Sequence, residues 1–189
     1  MFFKSKYRPN VAINSLFDQA GVYFIKRPAG RDLNQQLQAY VRELMRSGLI
    51  REVGIVLDKS ALVPYLSVRS NLFIQGRVHD LDLLPREMRN DVHFLEEKAA
   101  DLGELQRIYV EFFRSVLSGK RYVLMTDVLA KLSSPEGRQM LEVFRHCVRQ
   151  LGVSLILFTS DATLLRDNPQ SSLQTPPPLT VDSKQQELN

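Results

Sequence analysis

The stretch from Gly21 to Leu37, GVYFIKRPAGRDLNQQL, decides the architecture. It opens on Val22-Tyr-Phe-Ile25, a short apolar run of strand-forming residues. Pro28 and Gly30 then punctuate the chain as a turn. From Leu33 to Arg46, Leu37, Val41, Leu44 and Met45 recur at helical spacing, and Gly48 supplies a stop. A buried strand, a turn and a helix together form the unit from which parallel sheets are wound.

The same alternation continues along the chain. Val53-Gly-Ile-Val-Leu57, Tyr122-Val-Leu-Met125 and Val153-Ser-Leu-Ile-Leu-Phe158 read as further buried strands. Leu105 to Leu117 reads as a helix with Ile108, Phe112 and Val116 on one face, and Glu136 to Gln150 as another. Pro85 to Lys98 reads as a polar, charged helix, Ser60 to Gly76 as irregular, and Ala130 to Pro135 as a loop. After Arg166 the chain becomes NPQSSLQTPPPLTVDSKQQELN, polar and proline-rich, which reads as a disordered tail. The expected organisation is one domain over residues 1–166 and a tail over 167–189. The expected fold is α/β, a mostly parallel sheet flanked by helices. Ligands of such sheets sit at the carboxyl ends of the strands, here after Ile25, Leu57, Met125 and Phe158.

Composition narrows the function classes. A chain of 189 residues can bury one real core. Its net charge of +4 comes from dispersed Lys and Arg, which permits an acidic surface as a neighbour without arguing for one. Arg42, Arg46 and Arg51 are diluted by Glu43 and Glu52 and make no nucleic-acid stripe. Cys147 is the only cysteine, so no internal disulfide forms and a reduced, cytoplasmic setting is expected. No apolar run approaches the roughly 20 residues that a membrane span needs. The three histidines are scattered and make no metal-ligand spacing. His146 and Cys147 are adjacent, so on a helix they point about 100° apart and form no nucleophile–base pair. His79 with Asp80 and Asp82, and His93 with Glu96 and Glu97, read as solvated surface.

An ordered set of fragments then resembles the ATPase domain of ABC transporters. GVYFIKRPAGRDLNQQL resembles that family's strand, phosphate loop and helix. SALVPYLSVRSNL resembles the segment after the Q-loop glutamine, and DLGELQR a worn signature motif. RYVLMTD stands where the Walker B strand belongs, and SSPEGRQMLEVFRHCVRQLGVSLILFTSD resembles the D-loop, its following helix and the switch-histidine strand. The resemblance covers Tyr7 to Asp161 in the family's order. It implies a P-loop-type sheet with abbreviated β and helical subdomains. The chain between Gln35 and Asp58 is short for the family's extra antiparallel strands, and the helical segment Arg77 to Asp101 is also reduced.

Position by position, the resemblance implies a lost site. A phosphate loop needs glycines, so that backbone N–H groups wrap a phosphate, and a lysine and a hydroxyl for charge and magnesium. Gly30 survives, but Arg27 and Asp32 stand at the first and last glycines, Leu33 at the lysine and Asn34 at the hydroxyl. A unit charge 4 Å from a phosphate is worth roughly 4 kcal/mol at an effective dielectric near 20, so a lost lysine and a gained Asp32 both weaken binding. The Q-loop glutamine falls on Asp58, the signature serine on Asp101, the D-loop aspartate on Ser133 or Ser134, and the switch histidine on Ser160. At Walker B, a direct match puts Thr126 at the Asp and Asp127 at the Glu. A match shifted by one puts Asp127 at the Asp and Val128 at the Glu. In either register one carboxylate is missing. Phosphoryl transfer rests on positioning and charge stabilisation, so the resemblance implies no hydrolysis, no bound nucleotide or metal, and no enzyme.

With hydrolysis gone, what the resemblance leaves is shape. The expected role is a structural or regulatory subunit of a transporter-like complex at the cytoplasmic face of the membrane. Its expected partners are a permease-like transmembrane subunit, a second ATPase-like subunit, or both, and no nucleic acid. The other reading is a stand-alone α/β scaffold or regulator without a membrane partner. The best-preserved stretch is Ala61 to Asn71, which in the family lies beside the cleft that receives the membrane subunit. Within it Val63, Pro64, Tyr65, Leu66 and Arg69 are the candidate partner-binding residues, with Tyr65 and Arg69 of the type favoured at interface hot spots.

Overall fold

The computed structural model describes residues 17, 19–26, 37–38, 40–42, 44, 48–57, 59–76, 81–126, 128 and 132–173. Five strands, β1 (Gly21–Lys26), β2 (Val53–Val56), β3 (Tyr122–Met125), β4 (Ser154–Thr159) and β5 (Ser172–Leu173), form one sheet in the order β2-β3-β4-β1-β5. Every pairing is parallel, with Gly21 opposite Ser154 and Tyr122 opposite both Ser154 and Val53. Central β4 is buried along its whole length, which is why its sequence is a continuous apolar run.

Alternate residues divide the sheet into two faces. Val22, Phe24, Val56, Val123, Met125, Leu155 and Leu157 belong to the larger core cluster. Ile25, Tyr122, Leu124, Ile156 and Phe158 belong to a second cluster, with the helical residues Leu37, Tyr40 and Leu44 over them. The β1-to-β2 crossover runs along the sheet in the opposite direction to β2-β3-β4. Right-handed crossovers therefore place its helix on one face and the later helices on the other. Those later helices are α4 (Glu104–Leu117) and α5 (Ser134–Leu151), which carry Phe112, Phe113 and Phe144 into the larger cluster. Between β2 and α4 lie three short helices, α1 (Val68–Phe73), α2 (Arg86–Asn90) and α3 (Val92–Glu96). A last helix, α6 (Ala162–Asp167), follows β4.

The strands and the two long helices follow the sequence pattern. Four local features depart from it. Ser60 to Gly76 contains α1, which is capped by Ser67 through the Ser70 amide and is too short to display a periodic stripe. The expected single helix from Pro85 to Lys98 breaks at Asp91, whose carboxylate accepts from the Phe94 amide and starts α3 afresh. The helix expected from Glu136 begins at Ser134, with Pro135 in its first turn and Ser133 capping through Glu136. It ends at Gly152, whose φ of 66° is the left-handed conformation that closes a helix.

The fourth departure is at the domain's end. The fold does not stop at Arg166. A 3-10 turn, Pro169–Ser171, leads into β5, which adds to β1 beside Phe24 and Ile25. The Ser172 hydroxyl donates to the carbonyls of Leu165 and Asn168. A two-residue strand has no pattern to read, so the sequence places the tail too early. The proline run of the tail, with the rest of residues 174–189, lies outside the described residues. Ending the chain at Arg166 is expected to lower the melting temperature by several degrees relative to ending it at Leu173, since about 1 kcal/mol moves a domain of this size by roughly 2–4 °C. Equal melting of the two truncations would show that β5 contributes nothing.

Gly54 fixes how closely α4 lies on β2. A Cβ there would sit 2.6 Å from the Ser115 Cβ, well inside van der Waals contact. Gly54→Ala therefore has to push helix and strand apart, at a cost of about 1–3 kcal/mol. A denaturant midpoint unchanged from the native protein would contradict this.

Candidate functional site

The sheet brings four sequence-predicted loops to one edge, the carboxyl ends of β1 to β4. Helix α4 runs against the strands, since its last turn leads directly into β3. Its amino end, and Asp101 before it, therefore lie toward the same edge. Arg27, Gly30, Asp32, Leu33 and Asn34, together with Asp58 and Asp127, lie outside the described residues.

The described positions are informative in themselves. Thr126 follows the last paired residue of β3 and is only 2 % exposed. Its amide donates to the Val56 carbonyl at 3.1 Å, while its hydroxyl has no partner among the described residues. Val128 is buried in the larger core cluster. Ser160 is exposed at the end of β4, where a cavity of about 320 Å³ is lined by Lys26, Ala162, Leu165 and Arg166. The neighbouring Asp161 accepts from the Thr163 amide at 2.7 Å and caps α6. Asp101 is exposed in the 3-10 turn Ala99–Asp101. Among the histidines, His93 and His146 are exposed and His79 is outside the described residues, while Cys147 is buried and its thiol pKa is raised by that burial.

The segment Ser60–Asn71 is built quite differently. Asn71 is fully buried on α1 and binds the loop before it through four hydrogen bonds. Its carbonyl oxygen accepts from the Val63 amide at 2.7 Å, and its side-chain NH₂ donates to the carbonyls of Val63, Leu66 and Ser67. On the other side the Ala99 and Ala100 amides donate to Leu66 and Pro64. This leaves Leu62 buried, Val63 and Leu66 half-buried and Pro64 exposed. Tyr65 stands out at 75 % exposed, the most exposed large hydrophobic side chain among the described residues. Arg69 is half-exposed and its Nε lies 3.1 Å from Glu96 on α3. A turn held by the Asn71 side chain and the Ala99 and Ala100 amides thus presents a ring to solvent.

Sequence reading missed the polar groups beneath this turn. Glu111 on α4 is fully buried, and its Oε1 accepts from the Ser60 hydroxyl at 2.8 Å, the Ala61 amide at 3.0 Å and Arg107 at 3.3 Å. Arg107 also pairs with Glu104. Burial disfavours the Arg107 charge, but the hydrogen bonds and charges of Glu104 and Glu111 outweigh it and raise its pKa. The readable signal was Glu104, Arg107 and Glu111 at helical spacing on the face that carries Ile108.

A backbone of this topology has known counterparts. The chain superimposes on cbiO1 from Clostridium perfringens, described as part of the ABC transporter complex cbiONQ, with a TM-score of 0.58 and 13% identity, over 76% of this chain and 68% of that one. The fold is that of an ABC-transporter ATPase. In sequence, the chain is 26% identical over 117 residues to the molybdenum import ATP-binding protein ModC of Pseudomonas savastanoi pv. phaseolicola. That match takes in 56% of this chain and 31% of the relative, so it spans about a third of ModC. No protein-family model matches the chain. Among the described residues, no helix is long and apolar enough to cross a membrane.

Proposed function

We propose that this chain is a noncatalytic ABC-ATPase-like subunit, a structural or regulatory part of a transporter-like assembly at the cytoplasmic face of the membrane. The observation that carries the reading is Thr126. A metal-organising carboxylate belongs at the end of the Walker B strand, and a buried, neutral hydroxyl occupies that place in the direct register. The described edge does not fit a magnesium–nucleotide pair. Thr126 and Ser160 offer hydroxyls only, and Asp161 uses Oδ1 to cap α6. The exposed Asp101, at the signature serine, adds a negative charge where a γ-phosphate would approach.

Calorimetry of the purified protein with magnesium and ATP tests this directly. No binding heat is expected up to low millimolar nucleotide, and no phosphate release. Leu33→Lys alone is expected to restore neither, because Asp32, Asp101 and Ser160 remain. Micromolar affinity, or turnover above the buffer rate, would overturn the noncatalytic reading.

The turn at Tyr65 supports the other half of the proposal. A rigid backbone that displays a tyrosine meets the requirements of a protein-docking anchor: large area, low ordering cost and little rearrangement. The partner implied by the fold is a permease-like transmembrane subunit. Membrane co-fractionation that depends on such a subunit is the expected result. A chain that stays in the soluble fraction whether or not the subunit is present is instead a stand-alone scaffold.

A further inference from the structure

The buried carboxylate of Glu111 lies directly beneath the entry to the exposed turn, against the stretch that follows β2. We infer that Glu111 is the positioning residue that ties the Tyr65 turn to helix α4, through Ser60 and Ala61. Three observations combine. Glu111 is fully buried, yet both of its loop partners come through Oε1, the Ser60 hydroxyl at 2.8 Å and the Ala61 amide at 3.0 Å. The Ser60 oxygen, oriented by that bond, accepts in turn from the Leu62 amide at 3.2 Å. One helix turn further on, Arg114 donates to the Ala61 carbonyl at 2.9 Å, so α4 holds the amide and the carbonyl of the same residue.

The two halves of the turn are therefore held separately, the far half also by the Ala99 and Ala100 amides. Asn71 holds its far half, Val63 to Ser67, to α1. Glu111 and Arg114 hold its near half, Ser60 to Leu62, to α4. Because α4 also packs on β2 and α1, a shift of α4 carries the near half of the turn with it. Arg107 packs against the same atom: its guanidinium reaches Glu111 Oε1 at 3.3 Å and is itself buried. The other carboxylate oxygen, Oε2, has no partner among the described residues, so Glu111's share of the grip passes through a single atom.

The functional weight of this tether rests on the docking reading above, but its test needs no partner, so the two can fail separately. Native-state hydrogen exchange on the full chain reads the Ala61, Leu62 and Val63 amides individually. In Glu111→Ala, Ala61 and Leu62 are expected to exchange at least about tenfold faster, a change of roughly 1.4 kcal/mol. Val63, held by Asn71, and the amides of α5 are expected to stay within about threefold of the native rates. Glu111→Gln keeps an oxygen acceptor of the same reach and is expected to return Ala61 to within about threefold. Ser60→Ala is expected to speed Leu62 and spare Ala61. If Glu111→Ala unfolds, Ser60→Ala and Glu111→Gln still decide the matter. The inference is overturned if Ser60→Ala leaves Leu62 unchanged, if Glu111→Gln frees Ala61 tenfold, or if Glu111→Ala folds and speeds Val63 as much as Ala61.

Discussion

Asn71→Ala is expected to be the most damaging single substitution in the Tyr65 turn, lowering stability by about 2–4 kcal/mol. The side chain is fully buried and makes four hydrogen bonds, all to backbone groups of residues 63–67. Truncation leaves the Val63 amide without its partner, whereas the carbonyls of Val63, Leu66 and Ser67 each keep a bond from the Leu66, Ala99 and Asn71 backbone amides. An unpaired buried polar group costs about 1–3 kcal/mol, and the void left by the amide adds to it. Relaxation of the turn toward water recovers part of the loss. Urea unfolding measures it, and a loss under about 1 kcal/mol would mean that water replaces Asn71 at little cost. The same substitution is expected to free Tyr65 from its fixed position even where the domain remains folded.

Asn71 also shows what a sequence withholds. An asparagine in a polar-looking stretch, SVRSNL, gives no sign that it will be the most densely bonded side chain of the turn. The strands were legible because a buried parallel strand is continuous in apolar residues, as in Ser154–Thr159. Helices α4 and α5 were legible because each is long enough to repeat its apolar face, with Ile108, Phe112 and Val116 in one and Met140, Phe144 and Val148 in the other. Helix α1 spans fewer than two helical turns and strand β5 a single alternation, so neither repeats often enough to leave a pattern. The loop contact of Glu111 was hidden for a different reason. Its partner Ser60 is 51 residues away, and only the folded chain brings a polar loop over a buried carboxylate. The candidate turn was placed through the family resemblance, whereas the depth of its support belongs to tertiary structure.

That support determines how the docking proposal must be tested at Arg69. Tyr65→Ala is the simpler variant. The ring is 75 % exposed and packs little against the domain, so melting is expected to change by less than about 0.5 kcal/mol, while loss of an interface anchor costs about 2 kcal/mol or more of partner binding. Arg69→Glu is not simple, because Arg69 lies 3.1 Å from Glu96 and the substitution sets two carboxylates against each other on α1 and α3. The pair is solvent-exposed on both sides, so it is worth at most about 1 kcal/mol to the fold, yet its loss still blurs the reading. The combined exchange Arg69→Glu with Glu96→Arg separates the two roles. It restores an ion pair between α1 and α3 and reverses the charge presented at position 69. If Arg69 contacts the partner, the single variant and the exchange both release the protein from membranes that contain the partner subunit, and the exchange melts like the native chain. If Arg69 serves only to brace α1 against α3, the exchange recovers full membrane association. Full association of Tyr65→Ala as well would place the docking surface on another face of the domain.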